Sequence, residues 1–109
     1  MPVHPAWDSR PSVLLYHYQP TEFFTRGGLA LALNRQVVTI RVMENKGIIC
    51  RPPVKNSRGH WLYTRDQIED LITLAIEEQV IDPRFHRPFT RRFVEEAHVI
   101  LRRLPAISR

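Results

Sequence analysis

The sequence predicts a mainly α-helical fold with one small β-hairpin, and three observations carry that prediction. Two short stretches with helical spacing of apolar residues, 25–33 and 36–46, are separated by Asn34-Arg35. A proline-rich basic loop, 51–60, lies between two short apolar runs. Two further stretches, 64–82 and 90–104, again repeat their apolar residues every three or four positions. A chain of 109 residues, 43% hydrophobic and 25% charged, is enough for one core and too short for two. The expected organisation is an extended N-terminal arm over 1–23 and a single domain over 24–109.

In the arm, Pro2, Pro5, Pro11 and Pro20 exclude a regular helix, and Val13-Leu14-Leu15-Tyr16-His17-Tyr18 reads as a strand or a docked extended segment. Thr25 caps the first expected helix, which runs to Leu33 and sets Leu29, Ala30 and Leu33 on one face. Asn34 tolerates the left-handed conformation that a tight corner requires. The second helix starts at Gln36, turns Val37, Ile40 and either Met43 or Glu44 inward, and stops at Gly47. Ile48-Ile49-Cys50 and Trp61-Leu62-Tyr63 are the expected strands of a hairpin whose loop is Arg51 to His60. Thr64-Arg65-Asp66-Gln67 has the spacing of a capping box and opens a third helix, ended by Asp82-Pro83. The fourth helix, about Thr90 to Leu104, is expected to bury Phe93, Val94, Ala97, Ile100, Leu101 and Leu104. Phe85, His86, Pro88 and Phe89 are expected to cap the core between those helices.

The charges fall in blocks. Thr25 to Arg65 carries eight bases against Glu44 alone, a balance of +7; Asp66 to Asp82 carries six acids and no base; Pro83 to Arg109 carries seven arginines against Glu95 and Glu96. Either the acidic face (Glu69, Asp70, Glu77, Glu78) meets the basic tail (Arg91, Arg92, Arg102, Arg103) of a neighbour, or the two pair within one molecule.

Helix, sharp turn, helix, glycine stop and basic hairpin is the order of a winged helix-turn-helix. The stretch from Phe24 to Ala75 resembles the DNA-binding domain of MerR-type winged helix-turn-helix proteins, whose superfamily includes phage excisionases and the DNA-binding end of some phage packaging subunits. The resemblance rests on Leu29-Ala30, on Thr39-Ile40-Arg41 with Glu44 and Lys46-Gly47-Ile48-Ile49, and on Gly59 with Tyr63-Thr64. Two positions depart from the family pattern. Val42 and Met43 stand where two aromatics are usual, and Trp61, after His60, stands where the wing usually has an arginine. The short stretch after the wing helices leads to the expectation of an accessory DNA binder with no small-molecule effector.

The resemblance implies a binding surface for double-stranded DNA. On the second helix, Arg41 would offer two donors to a guanine edge, Gln36, Thr39 or Asn45 would pair with adenine or phosphate, and Val38 and Val42 would meet thymine methyl groups. Arg35 belongs to the same basic surface. In the wing, Lys55, Asn56, Ser57, Arg58 and His60 would follow the backbone or minor groove, with Arg51 adding charge. Thr25 and Arg26, at the start of the first helix, would hold a phosphate. The alternative for Arg41 is a salt bridge to Glu44 or Glu22.

Other chemistries lack their residues. His4, His17, His60, His86 and His98 are scattered, and Cys50 with His60 is too small a set for zinc. Ser12, Ser57 and Ser108 have no base and carboxylate at a nucleophile's spacing, and no glycine loop cradles phosphate. No catalytic residue, metal or cofactor is therefore expected. A single cysteine and the lack of an apolar run near 18 residues fit a cytoplasmic, nucleoid-associated protein of a bacterial cell, without membrane contact. Three function classes follow: a transcriptional regulator or excisionase-like recombination factor, a phage packaging or assembly component, and a protein-interaction module. Because one small module discriminates weakly, a homo-oligomer or cooperative assembly on DNA is expected.

Overall fold

Two β-hairpins and four helices make up the described part of the chain, residues 6–80 and 88–105 of a computed structural model. Their order is β1 (Ser12–Tyr16), β2 (Gln19–Phe24), α1 (Arg26–Ala32), α2 (Val37–Asn45), β3 (Val54–Lys55), β4 (Trp61–Thr64), α3 (Arg65–Glu77) and α4 (Arg91–Arg102). The strands form one antiparallel sheet in the order β1-β2-β4-β3.

The stretch expected as an extended arm is thus a hairpin that enlarges the sheet. Ser12 pairs with Phe23 and Tyr16 with Gln19, and Phe23 and Phe24 continue against Thr64 and Tyr63. His17 and Tyr18 both take positive φ, 50° and 65°, as a two-residue reversal between right-twisted strands demands. Neither is the glycine or asparagine that usually marks such a turn, so the turn was not visible in the sequence. Before β1, Trp7 tilts over Phe24 at 5.1 Å, and Arg65 binds both Asp8 (2.8 Å) and Glu22 (2.9 Å). Arg65 thereby ties the N-terminal residues to the start of α3.

Three helices end in the same way. At the end of α1, Asn34 has φ 56°, and the amides of Arg35 and Asn34 bond to the carbonyls of Ala30 and Leu31. At the end of α2, Gly47 has φ 75°, with Ile48 and Gly47 bonded to Met43 and Glu44. At the end of α3, Gln79 has φ 57°, with Val80 and Gln79 bonded to Ala75 and Ile76. Each is a left-handed C-terminal cap that satisfies the last carbonyls. Asn34 and Gly47 fulfil the sequence expectation; α3 stops at Glu77, earlier than expected, because glutamine gave no sign that it would adopt this conformation. The expected stop Asp82-Pro83, like Pro2, His4, Pro5, Phe85, His86 and Ser108, lies outside the described residues.

Ile48-Ile49-Cys50 is not a strand. The amides of Ile48 and Ile49 turn back to Met43, which folds Ile49 into the core, and Pro52-Pro53 has no amide to enter a ladder. Pairing begins only past the prolines, where Val54 meets Leu62 and Lys55 meets Trp61.

The capping box is present in full: Thr64 Oγ1 accepts from the Gln67 amide, and Gln67 Oε1 accepts from the Thr64 amide. Gln67 is buried and also donates to the carbonyls of Leu101 and Arg103, so it joins the start of α3 to the end of α4. One core, centred on Leu29, Ile40, Met43, Tyr63, Leu71 and Phe93, unites all four helices, with Phe89 packed against it and its ring tilted against that of Phe93. Leu104, expected inside, is 71% exposed because α4 ends at Arg102 and the chain becomes extended at Arg103. Val94 is only half-buried. The acidic and basic blocks pair within one molecule: Arg92 binds Glu77 and Glu78, and Arg103 binds Asp70.

Candidate nucleic-acid interface

The arrangement of α2 starts from its two sides. Ile40 and Met43 face the core, and the opposite face presents Val38, Arg41, Val42 and Asn45. These are spaced three and four apart and form one exposed ridge. Val38 is 64% exposed, which water alone would disfavour. Arg41 is exposed and makes no salt bridge among the described residues. Both acids that were candidate partners for it are engaged elsewhere, Glu22 with Arg65 and Glu44 with Arg26. Gln36, just before the helix, is exposed, and Thr39 is half-buried.

The wing approaches this ridge. Its turn is built by Asn56, whose backbone amide bonds to His60 O and whose side-chain oxygen accepts from the amides of Arg58 and His60 at 3.0 and 2.9 Å. Gly59 supplies the positive φ of 82° that reverses the chain. Lys55, Ser57, Arg58 and His60 are left exposed around it. The turn and the second helix share a cleft of about 270 Å³ lined by Thr25, Arg26, Gly27, Val37, Arg41, Gly59, His60 and Trp61. Arg41 and the wing therefore stand on one side of the molecule.

Trp61 was not among the expected contact residues. Half-buried in β4, it has Lys55 Nζ 5.1 Å and the Arg51 guanidinium 5.7 Å from its ring centre. Both cations lie within cation–π range, so the indole organises charge where the family pattern has an arginine. Its displacement from that pattern was the available signal.

Glu44 fixes the angle between helix and wing. Its side chain is only 4% exposed, and it accepts two hydrogen bonds from Arg26, at 3.1 and 3.0 Å, and one from the Tyr63 hydroxyl at 3.2 Å. Arg51 adds a longer contact at 3.9 Å. One carboxylate thus joins α1, α2, β4 and the wing's entry. Burial, with the negative charge of Glu44, pushes the Tyr63 hydroxyl well above its ordinary pKa, so it remains a donor.

These contacts give three of the expected DNA ligands partners within the molecule. Arg26 lines the cleft, yet its guanidinium is held by Glu44, since a buried carboxylate needs a paired cation. Arg35 donates to the carbonyls of Leu33, Asn34 and Val80 and so staples the helix-turn-helix corner to the end of α3. Asn56 spends its oxygen on the wing turn. All three position the surface, whereas Thr25, whose side chain makes no capping bond, remains exposed at the cleft rim.

Two helices joined through a left-handed corner, followed by a hairpin against the same face, form a winged helix-turn-helix. Residues 24–75, slightly under half of the chain, match the family described as MerR HTH family regulatory protein, and the matched segment spans both helices of the turn, the wing and the first turns of α3. No curated protein and no solved structure matches the chain. No helix among the described residues is long and apolar enough to cross a membrane, and no group of three metal-ligating side chains is present among them.

Proposed function

We infer that this protein binds double-stranded DNA sequence-specifically and serves as the site-recognition component of a transcriptional or excisionase-like recombination complex associated with the bacterial nucleoid. The observation that supports this reading best is the shared cleft, which sets Arg41 beside the Gly59–Trp61 end of the wing. The ridge Val38, Arg41, Val42 and Asn45 enters the major groove. There Arg41 places two donors on a guanine edge, Asn45 and Gln36 reach adenine or phosphate, and the valines meet thymine methyl groups. Lys55, Ser57, Arg58 and His60, with Arg51 and Trp61 beneath them, follow the backbone and supply affinity with little sequence information.

Selection of bound sequences from a random duplex pool tests the reading. Arg41→Ala is expected to relax one position of the selected site and cost about 1–3 kcal/mol there. Joint replacement of Lys55 and Arg58 by Ala should weaken all sequences alike and lower the salt slope of binding by about 2. A pool that yields no enrichment over scrambled duplex would refute sequence-specific binding.

A further inference from the structure

The two edges of the sheet are finished in opposite ways. At one edge β3 has two residues, is preceded by Pro52-Pro53 and carries Lys55, all features that stop a further strand from adding. At the other edge β1 has five residues, with no charge, no internal proline and no bulge against β2. From Pro11 to Thr21 the sequence contains no acid, lysine or arginine, in a chain whose net charge is +5. Leu15 is 74% exposed and Val13 59%, and Tyr18 at the tip is 98% exposed.

We propose that β1 is a homodimer interface, at which a second copy of this chain pairs its own β1 antiparallel across a two-fold axis through Leu14. Hydrogen-bond parity selects the register. Tyr16 and Gln19 flank a two-residue turn and are therefore a hydrogen-bonded pair, so Ser12, Leu14 and Tyr16 turn their main-chain groups toward β2. Val13 and Leu15 turn theirs to the outer edge, which no other strand among the described residues covers. Only with Leu14 on the axis does Val13 of each copy meet Leu15 of the other, so that both outward residues of both strands exchange two bonds each. The neutral strand lets two cationic molecules approach, and the blunted β3 edge closes the assembly at two. The sheet becomes continuous through both copies, and seven inter-strand steps of about 4.8 Å separate the two β3 strands, roughly 34 Å, which is about one turn of DNA. That last consequence alone rests on the DNA reading.

Cysteine scanning of the full chain, on a Cys50→Ala background, tests the pairing under mild oxidation with oxidised glutathione. Leu14→Cys, at the close non-hydrogen-bonded position on the axis, is expected to form a covalent dimer. Val13→Cys and Leu15→Cys are each expected to stay uncrosslinked alone and to link when mixed. Sedimentation equilibrium of the unaltered chain should give twice 12.9 kDa, and Leu15→Lys should return it to a monomer with unchanged circular dichroism. A monomer at 100 μM (our chosen loading, on the order of 10⁻⁴ M, at which a sub-micromolar Kd would give nearly all dimer), a Leu15→Lys dimer, or self-linking of Val13→Cys would each overturn the pairing. A monomer that still shifts duplex DNA overturns the pairing alone; a dimer that shifts none overturns the DNA reading alone.

Discussion

Glu44 looks in the sequence like one acid in a basic block, and its environment gives it a larger task. A carboxylate buried among Arg26, Arg51 and the Tyr63 hydroxyl is stable only while all its partners remain. Glu44→Ala is therefore expected to destabilise the fold by about 3 kcal/mol, read as a lower urea midpoint at unchanged slope. Tyr63 gives a second readout on the alkaline side. Its folded pKa lies above the unfolded value near 10, so above about pH 10 the unfolded chain loses a proton that the folded chain keeps, and stability falls as pH rises. Tyr63→Phe should remove this alkaline slope while leaving a constant loss from the missing bond to Glu44; an unchanged slope between pH 9 and 11 would show that the hydroxyl is not the titrating group.

Among the elements, α3 carries the signal that the sequence expressed most clearly, and Gln67 shows how much it left out. The pattern Thr64-x-x-Gln67 specified the capping box, but nothing local indicated that the same amide would reach Leu101 and Arg103 across 34 and 36 residues. Thr64→Ala should cost about 1 kcal/mol, the ordinary loss of a cap. Gln67→Leu is expected to cost more, about 2 kcal/mol, because it also leaves carbonyls of α4 without their donor. Amide exchange distinguishes the two: only the second variant should raise exchange in the last turn of α4. The wing shows the converse. Its loop was legible from prolines, asparagine and glycine, while its first strand was misplaced, since Ile48 and Ile49 satisfy the β-pattern but are drawn into the helix cap.

For the whole molecule, the separated charge blocks serve mainly to close the structure on itself. Arg65 binds Asp8 and Glu22, and Arg92 and Arg103 bind the acids of α3. Hydrogen bonding from Arg65 lowers the Asp8 pKa, and bonds from Thr90 and then Arg92 lower that of Glu78. Both carboxylates thus contribute stability that is complete above the ordinary carboxylate range, about pH 5, and is lost as pH falls through their lowered folded values. Urea midpoints measured from pH 6 to pH 2 should fall in that window. The double variant Asp8→Asn, Glu78→Gln should start lower at pH 6 and fall less. Among the described residues, the Arg41 ridge and the wing bases Lys55 and Arg58 stay exposed outside these pairs.

The sequence by itself determined the helix-turn-helix, its corner at Asn34, its stop at Gly47, the capping box of α3 and the existence of a basic wing. Each of these is written in residues whose conformational preferences act within a few positions of themselves. The tertiary structure decided which bases remain free. Arg26, Arg35 and Arg41 are equivalent as letters, but a guanidinium is directed by acceptors brought to it from distant segments, Glu44 for the first, Val80 for the second and, among the described residues, none for the third. The hairpin β1-β2 takes its register locally from a two-residue turn that carries no glycine or asparagine, and only the pairing of Phe23 and Phe24 with Thr64 and Tyr63 was settled at long range.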